Sequence, residues 1–259
     1  MRATALLAIV LLSMLLPCGH GAAQPLKIYG TDSPPLSFRV GAGVDGLVVE
    51  LVREVQRRVG GHEPVEILPW NRSKMLAEHT PGVLLLSLLR TPEREREMRF
   101  VGPWLITRVA VFAARSRAAE LLSRDPGLHR LRTGARRGSA MIALAREAGF
   151  NVTDEINATD NGARMLMLGR FDLWFESEEL AIGALQGAGF HPDDVQALVR
   201  LVPQPVYFAF SNGTPEALIQ AWDAALRDMK RDGSFQRIYS KWLPGYDMPA
   251  DAQAGVKGG

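Results

Sequence analysis

The sequence predicts an α/β protein with largely parallel sheets, and three observations carry that expectation. Short apolar segments of strand length alternate with amphipathic helical segments along the chain. Residues 83–88 (VLLLSL) are an unbroken apolar run, the pattern of a strand buried on both faces. Residues 46–59 place Leu47, Val48, Leu51, Val52, Val55 and Val59 at helical spacing, which makes one wide apolar face.

Taken in order, residues 26–30 (LKIYG) read as the opening strand, 46–59 as a helix and 65–68 (VEIL) as a second strand. Asn71 is the expected N-cap of a helix through His79. The apolar strand 83–88 follows, then a strand at 108–114. A second set begins with a strand at 132–136, the Gly138-Ser139 turn and a helix over 140–148. Asn161 is expected to cap a helix through Leu168. Residues 171–175 (FDLWF) read as a strand, and Ser177 opens the helix 178–186. A strand at 206–210 leads to Thr214-Pro215, where threonine as N-cap and proline in the first turn start a helix to Arg231. A last helix spans 233–242. The segment from 248 to 259 is expected to be a disordered tail.

The N-terminus has the form of a secretory leader. Met1-Arg2 is positive, and residues 3–16 are apolar but short for a membrane span. Gly21 and Ala23 suit cleavage before Gln24, so residues 1–23 are read as a signal peptide, with an uncleaved anchor as the alternative. Cys18 is the single cysteine. It is a candidate lipidation site, although Pro17 directly before it suits that processing poorly. Beyond it no thiol remains for a disulfide, a thiolate metal site or a nucleophile. A net charge of +2 over 259 residues gives no argument for nucleic acid. No His/Asp/Glu group has metal-ligand spacing, so no metal and no cofactor are expected. The length after the leader suits two medium lobes or one large domain.

Ligands of open α/β sheets bind beyond the carboxyl ends of the strands. Asp32, Arg72, the segment from Ser87 to Arg94, Ser139, Glu176 and Ser177 all fall in such positions. Arg94 leads this set. In Thr91-Pro92-Glu93-Arg94, threonine is a natural N-cap and proline a natural first residue, but a capping box wants Glu or Gln where Arg94 stands. A guanidinium beside a helix start makes a carboxylate site. The competing reading is a surface arginine paired with Glu93, Glu95 or Glu97. Arg72 is a second candidate anion group or a helix-surface charge. Trp70, Phe38, Trp104 and Trp174 are candidate aromatic walls, with the core as the competing place for Phe38 and Trp104.

Three stretches carry a resemblance: 30–52 (GTDSPPLSFRVGAGVDGLVVELV), 91–103 (TPEREREMRFVGP) and 229–243 (MKRDGSFQRIYSKWL). In this order and spacing the chain resembles the periplasmic solute-binding proteins of the polar amino acid type, family 3, over about 26–245. Arg90 before Thr91, together with Trp70-Asn71-Arg72, resembles a less characterised branch. The resemblance implies a two-lobed periplasmic-binding-protein fold, each lobe a mostly parallel sheet flanked by helices. Lobe 1 would comprise 24–108 plus 207–247 and lobe 2 would be inserted at 109–206. A two-strand hinge near 105–113 and 203–210 would join them. It also implies that Arg94 holds a ligand carboxylate, that Ser87, Leu89 and Thr91 touch the ligand, and that Gly138-Ser139 grips it from lobe 2. Amino-acid binders of the family carry an aspartate for the ligand's α-ammonium five residues after the one matching Asp172. Here that position is Ser177, between Glu176 and Glu178. The expected ligand is therefore a small carboxylate-bearing or amino-acid-like solute. The expected setting is the periplasm, as a monomer, with an inner-membrane ABC permease as partner and no catalysis. A catalytic offshoot of dehydratase type, with Glu176 as its acid, and an extracytoplasmic sensor partner are the alternatives. His62, His79, His129 and His191 lie outside every motif, which disfavours histidine catalysis.

Overall fold

The computed structural model describes residues 25–123 and 127–253. The expected leader with Cys18, and residues 254–259 of the expected tail, lie outside them. The elements in chain order are β1 (Lys27–Gly30), β2 (Phe38–Val40), β3 (Gly43–Asp45), α1 (Leu47–Val59), β4 (Val65–Ile67), α2 (Trp70–His79), β5 (Val83–Leu89), α3 (Pro92–Glu97) and β6 (Met98–Thr107). The second set is β7 (Val109–Ala114), α4 (Arg115–Leu122), β8 (Thr133–Arg136), α5 (Ala140–Glu147), β9 (Val152–Ile156), α6 (Thr159–Met167), β10 (Leu173–Ser177), α7 (Glu178–Gly187) and β11 (Val195–Arg200). The chain then returns through β12 (Gln204–Ser211), α8 (Glu216–Arg231), α9 (Ser234–Trp242) and α10 (Ala250–Gln253).

Among the described residues two five-stranded sheets make the two lobes, beside a two-stranded sheet of β2 and β3. The first runs β4-β1-β5-β12-β6 and the second β11-β7-β10-β8-β9. In each, three neighbouring strands are parallel: β4, β1 and β5 in one, β10, β8 and β9 in the other. The strands that carry the crossings, β6, β12, β7 and β11, pair antiparallel. The chain crosses once at Arg108, between β6 and β7, and returns over 201–203, between β11 and β12. Because Gln204 already pairs with Thr107 in the first sheet, the sheet boundary falls at 204 rather than at the expected 207.

Each sheet is covered by helices, and the burial follows the apolar patterns. On α1, Leu47, Val48, Leu51, Val52 and Val55 are fully buried against α8 and α9 side chains such as Trp222, Met229 and Phe235. Each such side chain is worth about 1.5–3 kcal/mol when removed from water. The apolar β5 sends Leu84 and Leu86 to this core and Val83, Leu85 and Leu88 to the core on its other face. That division confirms a strand covered on both sides. Leu180 of α7 also joins the first-lobe core.

Several boundaries differ from expectation. α2 begins at Trp70 with Pro69 at its N-cap, so Asn71 is inside the helix. α6 begins at Thr159 rather than after Asn161, and α8 begins after Pro215, while the Thr214 hydroxyl turns back to donate to the Ser211 carbonyl. β6, β9 and β11 extend the strand set; the last two lack a strong apolar run because they lie at sheet edges. β10 is shifted two residues along from 171–175, since Leu173 is the first residue to pair with Thr133. Asp172 is instead held outside the strand by Arg117 and Arg132. The tail expectation fails for 250–253: Ala252 is buried and Asp251 pairs with Lys230 at 2.6 Å.

Candidate functional site

A cleft of about 280 Å³ lies between the lobes. Its first-lobe wall follows β1 and β4 and includes Thr31, Asp32, Ser33, Arg39 and Trp70. Its second-lobe wall follows β8 and β9 and includes Arg136, Asn157, Ala158 and Thr159. Apart from Arg39, which comes from the antiparallel strand β2, and Arg136, the last residue of β8, these sit past the carboxyl ends of parallel strands, where the strands splay.

The lobes touch on both sides of this cleft at glycines. Gly138 follows β8 with φ +68, and a Cβ there would fall 2.6 Å from Asn71 Oδ1 and 3.5 Å from Trp70 Nε1. Gly183 on α7 lies so close to the Pro34 carbonyl that a Cβ would stand 2.2 Å from its oxygen. At Gly183 the blocking atom is backbone, so nothing larger than hydrogen fits and the absence of a side chain sets the lobe spacing there; at Gly138 the Asn71 side chain would have to move aside.

Buried polar atoms without a protein partner cluster on this seam. They are Trp70 Nε1 from the first lobe and Arg136 Nε, Glu176 Oε2 and Ser177 Oγ from the second. Such atoms are rare, because a buried donor or acceptor left unmade costs about 1–3 kcal/mol. Glu176 and Ser177 are the last two residues of β10, beside the end of β8 that carries Arg136. Glu176 Oε1 accepts the Ser177 N–H at 3.0 Å, and its Oε2 lies 3.9 Å from Arg136 Nε. Burial pushes the Glu176 carboxyl above the ordinary carboxylate range, against the opposing pull of Arg136 and the Ser177 N–H. On the next turn, Glu179 is 2 % exposed and burial pushes it up to about 7, although the Thr107 hydroxyl donates to its Oε1.

The sequence-derived candidates divide. Asp32 and Trp70 line the cleft; Asp32 pairs with Arg39 at 3.5 Å, both more than half exposed. Glu176 and Ser177 are outside the cleft lining, behind Arg136, which is part of the wall. Ser139 caps α5, accepting the Met141 N–H at 3.2 Å and donating to the Arg136 carbonyl at 2.6 Å. Thr91 caps α3, accepting the Arg94 N–H at 3.4 Å. The half-buried Arg94 donates from Nη1 to the Leu89 carbonyl at 2.9 Å; among the described residues no carboxylate lies within ion-pair distance of it, so the competing reading of a surface pairing with Glu93, Glu95 or Glu97 does not hold. Burial lowers its pKa, with the charges of Glu78 and Glu93 opposing. Ser87 and Leu89 are half-buried at the end of β5. Arg72 is exposed on α2 and does not line the cleft. Arg90 is taken up by Glu95 and by the faces of Phe100 and Tyr207.

Two of the expected aromatic walls, Trp104 and Trp174, are core instead, and Phe38 is half-buried outside the cleft lining. Trp104 is fully buried and donates from Nε1 to the Leu86 carbonyl at 2.9 Å. Trp174 is fully buried against Phe112 and Gly162. Phe38 meets Trp242 edge-on at 5.8 Å. Sequence reasoning missed Arg136, Arg39, the 157–159 turn and Glu179. The strand-end rule that selected Ser139 applies equally to Arg136, the last residue of β8. Glu179 carries no sequence signal, since its burial comes from the other lobe.

The model of the bacterial extracellular solute-binding proteins, family 3, matches residues 27–245. A membrane-bound lytic murein transglycosylase F from Ectopseudomonas mendocina is 26% identical over 95% of this chain. The match takes in 53% of that relative, so the chain spans about half its length. Among solved structures, a histidine kinase sensor domain with similarity to periplasmic binding proteins superposes with a TM-score of 0.76 at 21% identity, over 87% of this chain and 98% of the other. A periplasmic His/Glu/Gln/Arg/opine family-binding protein from Silicibacter pomeroyi, in complex with lysine, gives 0.73 at 19% identity, over 87% and 99%.

Proposed function

The chain belongs to the bacterial extracellular solute-binding proteins of family 3, and from that premise we propose that it captures a small carboxylate-bearing solute between its lobes and does no chemistry on it. The observation that carries this reading is the set of buried, unpartnered polar atoms on both lobes of one seam: Trp70 Nε1, Arg136 Nε, Glu176 Oε2 and Ser177 Oγ. A solute entering the cleft supplies the missing partners, and a group that needs both lobes for its hydrogen bonds holds them closed. Arg136 and Arg39 give the cleft wall its cations. Arg94, desolvated and without a carboxylate, is the further fork for an anionic group. Glu176 takes a donor nitrogen or hydroxyl of the same solute. The solute is then handed to an inner-membrane ABC permease, with the protein working in the periplasm as a monomer.

Calorimetric titration against amino acids and simple organic acids tests this. The expected outcome is saturable binding of at least one carboxylate, weakened about a hundredfold in Arg136→Ala and in Arg94→Ala. Binding confined to polyamines, with no response to any acid, overturns it.

A catalytic reading has one observation in its favour. Glu176 and Glu179 are buried carboxyls with raised pKa near a cleft, the state an acid catalyst needs. Slow consumption of the bound solute, lost in Glu176→Gln, would establish it.

A further inference from the structure

The lobe seam holds a second cavity, of about 470 Å³, outside the cleft. That is within the range of about 300–1,000 Å³ typical of small-molecule sites. One wall is a single face of α7, with Glu179, Ile182 and Gly183 at the helical spacing that puts them side by side. The opposite wall is Pro34 with Trp242 and Tyr246, from the first lobe. The seated Gly183–Pro34 contact is part of its lining and also of the lining of the cavity that leads on to Asp32 and Thr159. The groove is thus neighbour to the cleft and separate from it.

Its chemistry is unlike that of the cleft. The lining is apolar except for a few groups, and Glu179 is the one charged side chain in it. Two polar atoms of that lining are buried without a partner: Glu179 Oε2 and Trp242 Nε1. The other oxygen of Glu179 is already occupied by the Thr107 hydroxyl. The nearby carboxylates are spoken for, Glu178 by Arg200 and Asp247 by Arg108. The nearest cations, Arg108 and Lys241, lie over the Tyr246 and Trp242 rings at 5.1 and 5.0 Å and are paired with Asp247 and Glu50. A free, desolvated carboxyl oxygen in the lining of an apolar groove therefore selects a donor nitrogen over an acid.

We propose that this groove is a second ligand site, taking a small primary amine with an aromatic or branched apolar body. The nitrogen donates to Glu179 Oε2 and the body lies between Ile182 and Trp242. Such a ligand touches α7 of one lobe and the end of α9 of the other, so it is bound best when Gly183 sits on Pro34. That arrangement also encloses the cleft. The amine and the cleft solute therefore raise each other's affinity by the same factor. The coupling rests on the capture reading above; the site does not.

Phenethylamine titrated into the protein, followed by Trp242 and Ile182 NMR signals, tests the site. Saturable shifts of those signals below about 10 mM are expected, with phenylpropionate giving none. Gly187 lines the groove, and a Cβ added there meets nothing within 4 Å. Gly187→Leu should therefore fold and weaken the amine about tenfold or more by filling the groove, and Glu179→Gln should weaken it similarly. No saturable shift, equal binding of the acid, or binding indifferent to Gly187→Leu would each overturn the site. With a cleft solute in hand, equal reciprocal changes in the two Kd values support the coupling and independent binding overturns it. Failure to find any cleft solute leaves the amine titration standing by itself.

Discussion

Arg136 Nε lies 3.9 Å from Glu176 Oε2, at the carboxyl ends of the neighbouring strands β8 and β10, and neither atom has a hydrogen-bond partner in the protein. Glu176 is fully buried and Arg136 nearly so. The pair is therefore close enough to compensate charge but not to satisfy it, an arrangement that leaves hydrogen-bonding capacity for a third party.

Removing the cation from this pair strands the carboxyl. Arg136→Met should destabilise the protein by about 3 kcal/mol at pH 8, the usual cost of breaking a buried pair. The cost should be smaller at pH 5 than at pH 8, because burial already raises the Glu176 pKa and protonation removes the stranded charge. Urea denaturation at the two pH values checks this; equal losses at both would show that Glu176 is not the group being compensated.

Gly183 offers effects of opposite sign. Within α7, Gly→Ala raises helix stability by about 1 kcal/mol. The same methyl would stand 2.2 Å from the Pro34 carbonyl oxygen and wedge the lobes apart. Gly183→Ala should keep or raise the melting temperature of the unliganded protein while weakening solute binding about tenfold or more. Small-angle scattering should show it more open than the parent at saturating solute.

Glu179 sets a pH slope. Its folded pKa of about 7 exceeds its ordinary 4.5, chiefly through burial. Between those values the folded state binds more protons than the unfolded one, so stability falls as pH rises through this window. The full difference is about 3 kcal/mol. Glu179→Gln should flatten that part of the curve, leaving the protein relatively more stable above pH 7. Denaturation midpoints at four pH values from 5 to 8 read this out, and an unchanged slope refutes it.

Trp104 separates core from cleft. Trp104→Phe removes the indole bond to the Leu86 carbonyl and opens a cavity in the first-lobe core, at a cost of about 2–4 kcal/mol. Solute affinity should stay within about twofold. A large loss of binding at undiminished stability would return Trp104 to the cleft.

Local pattern in the chain was enough for the strand–helix alternation, the buried faces of α1 and β5, the caps at Thr91 and Ser139, and the family. These are local: a period of two or 3.6, or a hydroxyl beside a helix start, is complete within a few residues. It also pointed to the strand ends where a site belongs, which is why Asp32, Trp70, Glu176 and Ser177 were legible. Tertiary structure alone decided the rest. Trp104 and Trp174 have the same chemistry as Trp70, and only the packing of helices on each sheet sends two to the core and one to the seam. The two-residue shift of β10, fixed by the pairing of Leu173 with Thr133, decides that Glu176 and Ser177 end the strand inside the protein rather than follow it into solvent. Arg136 meets Glu176, Glu179 meets Thr107, and Gly183 meets Pro34 across long stretches of chain. The free energy of each such meeting depends on burial and on atoms supplied by another element, and no local pattern encodes either.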